Sequence, residues 1–122
     1  MVKGRKITGG KYKAFRKKKK HSRPGIPRKV KLRETKKKTI RGIGKTKKTV
    51  LLSTNKINVM DPKTKKAKIT TLTNVLETPS NRFLARQNIL VKGAFVETEL
   101  GKAKITSRPG QEGSISAVLV QE

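Results

Sequence analysis

The chain has no cysteine, only seven acidic residues and no long apolar run. Without cysteine there is no disulfide framework and no thiolate metal site, a composition that fits a reducing compartment. No stretch approaches the roughly 20 apolar residues of a membrane span, and no apolar segment follows the charged N-terminus as a secretory signal would require. A cytoplasmic, non-membrane protein is expected. The scarcity of acid is the most informative lack. Thirty-three Lys and Arg face seven Asp and Glu for a formal charge of +26 over 122 residues, and repulsion of that size calls for an external polyanion.

The charge is unevenly placed. Residues 1–49 hold 22 basic groups and one acid, Glu34, for a net +21, whereas residues 50–122 hold 11 basic and 6 acidic groups. Apolar residues divide the other way, with 11 of 39 in the first 49 positions. One domain is the most this length supports. The pattern predicts a basic arm over residues 1–48, disordered when free, followed by a domain over residues 49–122. Within the arm neither a helical nor a strand period persists, and Gly4, Gly9, Gly10, Gly25, Gly42 and Gly44 interrupt it, so no element is expected there.

From Thr49 the texture changes to short runs of Val, Ile, Leu and Thr between turn residues, a strand signature. Strands are expected near Thr49–Ser53, Lys56–Met60, Lys66–Leu76, Asn88–Val91, Gly93–Glu99, Lys102–Thr106 and Ser114–Val120. Ile57 and Val59 alternate with Lys56 and Asn58, and Ala103 and Ile105 with Lys102 and Lys104, so one face meets a core and the other solvent. Asp61-Pro62-Lys63-Thr64 and Leu100-Gly101 read as hairpin turns, residues 108–113 as a longer loop, and residues 82–86 as a single helical turn. So many short strands with so little apolar mass best close as a small antiparallel β-barrel, which hides its edges.

Catalytic and cofactor signals are weak. Gly42-Ile43-Gly44-Lys45-Thr46 ends like a phosphate-binding loop, but the glycine required five positions before Gly44 is Thr39, and no strand-then-helix context surrounds it. Glu97 and Glu99 form the one close carboxylate pair, two apart on a strand, where a solvated face explains them as well. His21 is the sole histidine, and one histidine without cysteine makes no metal site. Ser22-Arg23-Pro24-Gly25 recurs as Ser107-Arg108-Pro109-Gly110, but the flanking residues differ and the recurrence is ordinary turn chemistry. No enzyme and no cofactor are expected.

The basic residues decide the class. Lys and Arg gain affinity for nucleic acids by releasing condensed counter-ions from phosphates, and arginine adds bidentate contact and stacking. Membrane binding wants an apolar face opposite the lysines, which the arm lacks. The residues expected to contact phosphate are Arg5, Lys6, Lys11, Arg16, Lys17, Lys18, Lys19, Lys20, Arg23, Arg28, Arg41, Lys45, Lys47 and Lys48, with Arg108 added from the domain. Thr8, Gly9 and Gly10 permit close approach of the main chain, and Tyr12 and Phe15 are spaced to stack on unpaired bases. DNA and RNA both supply phosphates; an arm with glycine kinks suits the crevices of a folded RNA better than a uniform duplex.

Arg5-Lys6-Ile7-Thr8-Gly9-Gly10-Lys11, the run Arg16 to Lys20, Val59-Met60-Asp61-Pro62-Lys63-Thr64, Arg86-Gln87-Asn88-Ile89 and Ser107-Arg108-Pro109-Gly110-Gln111 resemble the archaeal and eukaryotic ribosomal protein family S8e. The resemblance runs in order along nearly the whole chain and is closest to the short archaeal members. It implies a non-catalytic constituent of the small ribosomal subunit, in the cytoplasm, contacting ribosomal RNA and neighbouring ribosomal proteins through a β-rich domain and a basic extension. Two other readings stand beside it: a ribosome-assembly factor of the same family, and a chromatin-type DNA-binding protein.

Overall fold

A computed structural model of the chain describes residues 4–13, 17–23 and 25–120. Among these residues nine strands follow one another: β1 (Val30–Leu32), β2 (Lys36–Arg41), β3 (Lys47–Thr54), β4 (Lys56–Met60), β5 (Ala67–Glu77), β6 (Ile89–Leu90), β7 (Phe95–Thr98), β8 (Gly101–Ile105) and β9 (Ser116–Leu119), with one short α-helix, α1 (Arg82–Arg86), between β5 and β6. The fold is mainly β, and β4, β5, β7, β8 and β9 close into a barrel.

The barrel follows from the period-2 pattern. Ile57 and Val59 on β4, Leu72 on β5, Val96 on β7, Ala103 and Ile105 on β8 and Ala117 on β9 all point inward and are buried, while their neighbours along each strand are mostly exposed. Small residues are set among the larger branched ones, Ala94, Ala103 and Ala117 with Ile57, Ile105 and Ile115, which lets a narrow interior fill without voids. Closure is made by parallel pairing of β4 with β9, Asn58 opposite Ser116 and Met60 opposite Val118. Bending is supplied on β5, whose register with β7 shifts between Leu72 and Asn74 and again between Val75 and Glu77. Such irregularities add local twist and turn a strand around a barrel.

Two turns have the chemistry their residues suggest. At the β4–β5 hairpin the Asp61 carboxylate accepts from the Lys63 N–H at 2.9 Å and from the Thr64 hydroxyl at 2.9 Å. These hydrogen bonds hold the Asp61 carboxyl below the usual carboxylate range, the Lys63 backbone contributing most. The β7–β8 connection is a two-residue turn with Thr98 paired to Gly101, and Gly101 has a φ of +116°, a conformation other residues adopt only under strain. The helical turn over residues 82–86 is present, and its start is capped by Asn81, whose side chain accepts from the Phe83 N–H at 3.0 Å.

The remaining strands form a second sheet in the order β2-β3-β1-β6, with β1 parallel to β3 and antiparallel to β6. This sheet corrects the expectation that no element precedes Thr49. Val30 is buried and joins Leu51 and Leu90 in one apolar cluster with the barrel interior, so the sheet shares the barrel's core. The physical reason is that β2, Lys-Lys-Lys-Thr-Ile-Arg, buries no residue fully and partly shields only Ile40. It exists through its backbone ladder to β3, from Lys36 opposite Ser53 to Arg41 opposite Lys47, and an apolar period cannot report a strand held that way. Asn55 alone separates β3 from β4. A nearly continuous run of chain therefore passes from the open sheet into the barrel.

Candidate nucleic-acid interface

Every described Lys and Arg before Val50 is exposed, and Glu34 is the sole acid in that part of the sequence. The structure distributes these cations over three places.

The first is a small hairpin near the N-terminus. Arg5 bridges to Lys11 in antiparallel fashion, the Lys6 N–H donates to the Gly10 carbonyl at 2.9 Å, and the Arg5 guanidinium donates to the Gly9 carbonyl at 2.9 Å. Gly9 takes a φ of +79° at the turn, so Thr8, Gly9 and Gly10 are a tight turn presenting bare backbone between Lys6 and Lys11. The Lys6 ammonium stands 5.9 Å from the Tyr12 ring centroid. Lys17 to Lys20 then lead into a 3-10 turn over Lys20–Ser22, and Arg23 follows it. Among the described residues, the hydrogen bonds of residues 4–23 all remain within that segment. Arg16 and Phe15 lie outside the described residues.

The second place is the β2–β3 hairpin, where Arg41 sits directly across from Lys47. The Gly42 N–H donates to the Thr46 carbonyl at 2.8 Å and Gly44 has a φ of +71°. A hollow of about 380 Å³ is lined by Arg41, Gly44, Lys45 and Lys47. The Gly-Ile-Gly-Lys-Thr stretch is thus the tip of a β-hairpin, strand on either side, and lacks the helix whose N-terminus would face a nucleotide. Loop 108–113 is docked next to it. Lys48 donates to the Gln111 side chain, the Leu51 N–H meets the Pro109 and Glu112 carbonyls at 3.4 and 3.2 Å, and a methyl group at Gly110 would stand 3.3 Å from the Arg28 carbonyl oxygen. Arg28, Lys48 and Arg108 are brought into one neighbourhood by this loop. Arg108 is partly engaged by Glu112, at 3.7 Å, in an exposed pair of the kind that contributes little to stability.

Sequence reasoning missed the third place, the face of β1. Lys29, Lys31 and Arg33 border a groove of about 380 Å³ whose other walls include Lys36 and Leu52. The signal was present as Lys29-Val30-Lys31-Leu32-Arg33, a short period-2 alternation that turns three cations to one face and two apolar residues to the other.

Glu97 lies on β7 with Lys102 directly across on β8, while Glu99 is in the turn and accepts from the Thr71 hydroxyl. Among the described residues no group of three or more His, Asp and Glu could hold a metal ion, and no helix is long and apolar enough to cross a membrane.

Comparison with known proteins finds relatives over nearly the whole chain. The ribosomal protein S8e family matches residues 2–120. The small ribosomal subunit protein eS8 of Methanococcus aeolicus is 48% identical over 119 residues, covering 97% of this chain and 93% of the relative. That of Sulfurisphaera tokodaii is 44% identical over 119 residues with the same coverage, and that of Nanoarchaeum equitans 48% over 120 residues, 96% of this chain and 92% of its own.

Proposed function

Because the chain belongs to the ribosomal protein S8e family, we propose that it is a structural constituent of the small ribosomal subunit that binds ribosomal RNA. The family consists of ribosomal structural proteins and not enzymes, and neither the assembly-factor nor the chromatin reading gains support from the relatives. The observation that carries RNA binding is the surface itself: 22 basic residues against one acid before Val50, exposed wherever they are described.

The basic stretch 1–48 acts in two parts. Residues ahead of β1, hydrogen-bonded locally where they are described, thread between RNA segments and neutralise phosphates that would repel one another. From Val30 onward the same stretch is part of the sheet, so its cations at Arg41, Lys45, Lys47 and Lys48 are held on a scaffold and set orientation. Cations fixed on a sheet beside cations on a separate leading segment suit a protein whose product is a stable particle.

Sedimentation of a cell extract through a high-salt sucrose gradient tests the role. The expected result is one copy per small subunit in the salt-washed peak. Presence only on precursor particles, or on DNA, overturns the proposal.

A further inference from the structure

The groove on the β1 face is more than another cationic patch, because it is built. Lys31 on β1 and Lys36 on β2 both pair with Ser53 of β3, one from each side. Their Cα atoms are therefore about 10 Å apart, two strand spacings, and they flank a recess. On the β2–β3 pair the register shifts between Lys36 and Lys37, where Leu52 is the additional residue on β3; Leu52 lines the recess and is 42% exposed.

The connection carrying Arg33 and Glu34 is fixed in place. The Ser53 hydroxyl donates to the Glu34 carbonyl at 2.7 Å, and the Thr35 hydroxyl meets the Thr54 hydroxyl at 3.0 Å and the Asn55 side chain at 3.3 Å. Glu34 is the one acid among the residues lining this cationic groove and is exposed; among the described residues the only ion pair is between Arg108 and Glu112, so the Glu34 carboxylate stands open to an added hydrogen-bond donor.

We propose that this groove holds one unpaired guanine nucleotide of the RNA partner. Lys31 lies on β1, with Lys29 and Arg33 two residues to either side just beyond its ends; two residues of extended chain span about 6.6 Å, a repeat comparable to the phosphate spacing of a single nucleic-acid strand, and Lys36 lines the recess with them. The base rests on Leu52. Guanine is the base whose Watson–Crick edge places two N–H donors side by side, and it matches a carboxylate's two acceptors. Four cations exceed what one free mononucleotide neutralises, which favours a nucleotide embedded in a strand. This assignment rests on the RNA-binding role proposed above and gives that role a base-reading position.

The test uses the full chain with methyl-labelled leucine and three short single-stranded RNAs: all uridine, and the same strand with a central guanine or adenine. NMR locates the base, since a ring over Leu52 shifts its methyl signals, and titration at fixed salt gives the affinity. The expected outcome is a Leu52 shift and roughly tenfold tighter binding for the guanine strand. Glu34→Gln should abolish the preference, and the Lys31→Gln, Lys36→Gln double variant should weaken all three strands alike with the preference kept. Circular dichroism confirms that the variants fold.

Equal affinity for the three strands, a preference that survives Glu34→Gln, or a Leu52 signal that does not move overturns the proposal while leaving RNA binding intact. Equal affinity for free guanosine monophosphate makes the groove a nucleotide pocket, and equal affinity for oligoglutamate makes it an acidic-protein site; both also overturn it. Failure of these strands and of purified ribosomal RNA to bind overturns the underlying role instead.

Discussion

Replacing Arg41, Lys45 and Lys47 together by glutamine should weaken RNA binding and strengthen the free protein. Arg41 and Lys47 are directly opposite on β2 and β3, and Lys45 lies in the tip between them. Like charges facing each other across a ladder destabilise it; at about 5 Å in water the repulsion is on the order of 0.8 kcal/mol, less once the exposed side chains splay. Each phosphate neutralised contributes about 0.7 to 0.9 to the slope of log affinity against log salt, so losing three lowers the slope by about 2.4. Carried from a 1 M reference to about 0.15 M salt, that is on the order of a 100-fold loss of affinity. Filter binding to purified small-subunit ribosomal RNA over a series of potassium chloride concentrations reads the slope, and urea unfolding of the same samples reads stability. An unchanged slope refutes phosphate contact at the hairpin tip. A lower affinity accompanied by lower stability refutes the separation of binding from folding on which the reasoning depends.

Leu51→Ala should cost about 3 kcal/mol, because Leu51 is fully buried in the core shared by sheet and barrel and such truncations leave a cavity; a urea midpoint moved by less than a third of that would place Leu51 outside the core. Gly101→Val should cost about 1–3 kcal/mol by forcing a branched residue to a φ of +116°, read by the same unfolding curves. The Asp61 carboxyl, held low by the Lys63 N–H and the Thr64 hydroxyl, should titrate below an unstructured aspartate in an NMR pH series. Its stabilising effect on the β4–β5 turn is fully present above the unfolded value and is lost as pH falls through the folded one, in the acid range below about pH 4. Thr64→Val should bring the midpoint upward, and no movement would remove the hydroxyl from the account.

What the sequence disclosed, and what it withheld, divides along a physical line. Strands β4, β5, β7, β8 and β9 each bury one face, so Ile57 and Val59 or Ala103 and Ile105 announced them by alternation, and the barrel followed from their number and shortness. Asp61-Pro62 marked its turn because an aspartate can hydrogen-bond the backbone two residues on. The turn after β7 is one residue earlier than expected, with Gly101 opening β8. By contrast, the sheet was hidden because its outer strand, Lys-Lys-Lys-Thr-Ile-Arg, is two-thirds basic with a single apolar residue, and its pairing is with a segment of different texture. The parallel contact of β1 with β3 joins residues 31–32 to residues 53–54, and nothing local encodes that. For the interface, charge density named the class of residue without naming its place. Arg41 and Lys47 prove to be cross-strand neighbours, Arg28 and Arg108 to be joined through Gly110, and although the alternation from Lys29 to Arg33 marked the β1 face, its groove with Lys36 emerges only once Lys31 and Lys36 are seen to share Ser53.

The parallel closure of β4 against β9 has a consequence during synthesis. Residues 56–60 must wait for residues 116–119 before the barrel closes, so the barrel's core is completed only after residue 119 has been made. At about 5 to 20 residues per second, the interval between the appearance of the cationic N-terminus and barrel closure is several seconds or longer. Throughout that time residues 1–49, net +21, have no completed barrel behind them to orient their cations. The order of synthesis therefore puts the charge ahead of the scaffold that positions it, so any contact the cations make early is made without the orientation the sheet and barrel later impose.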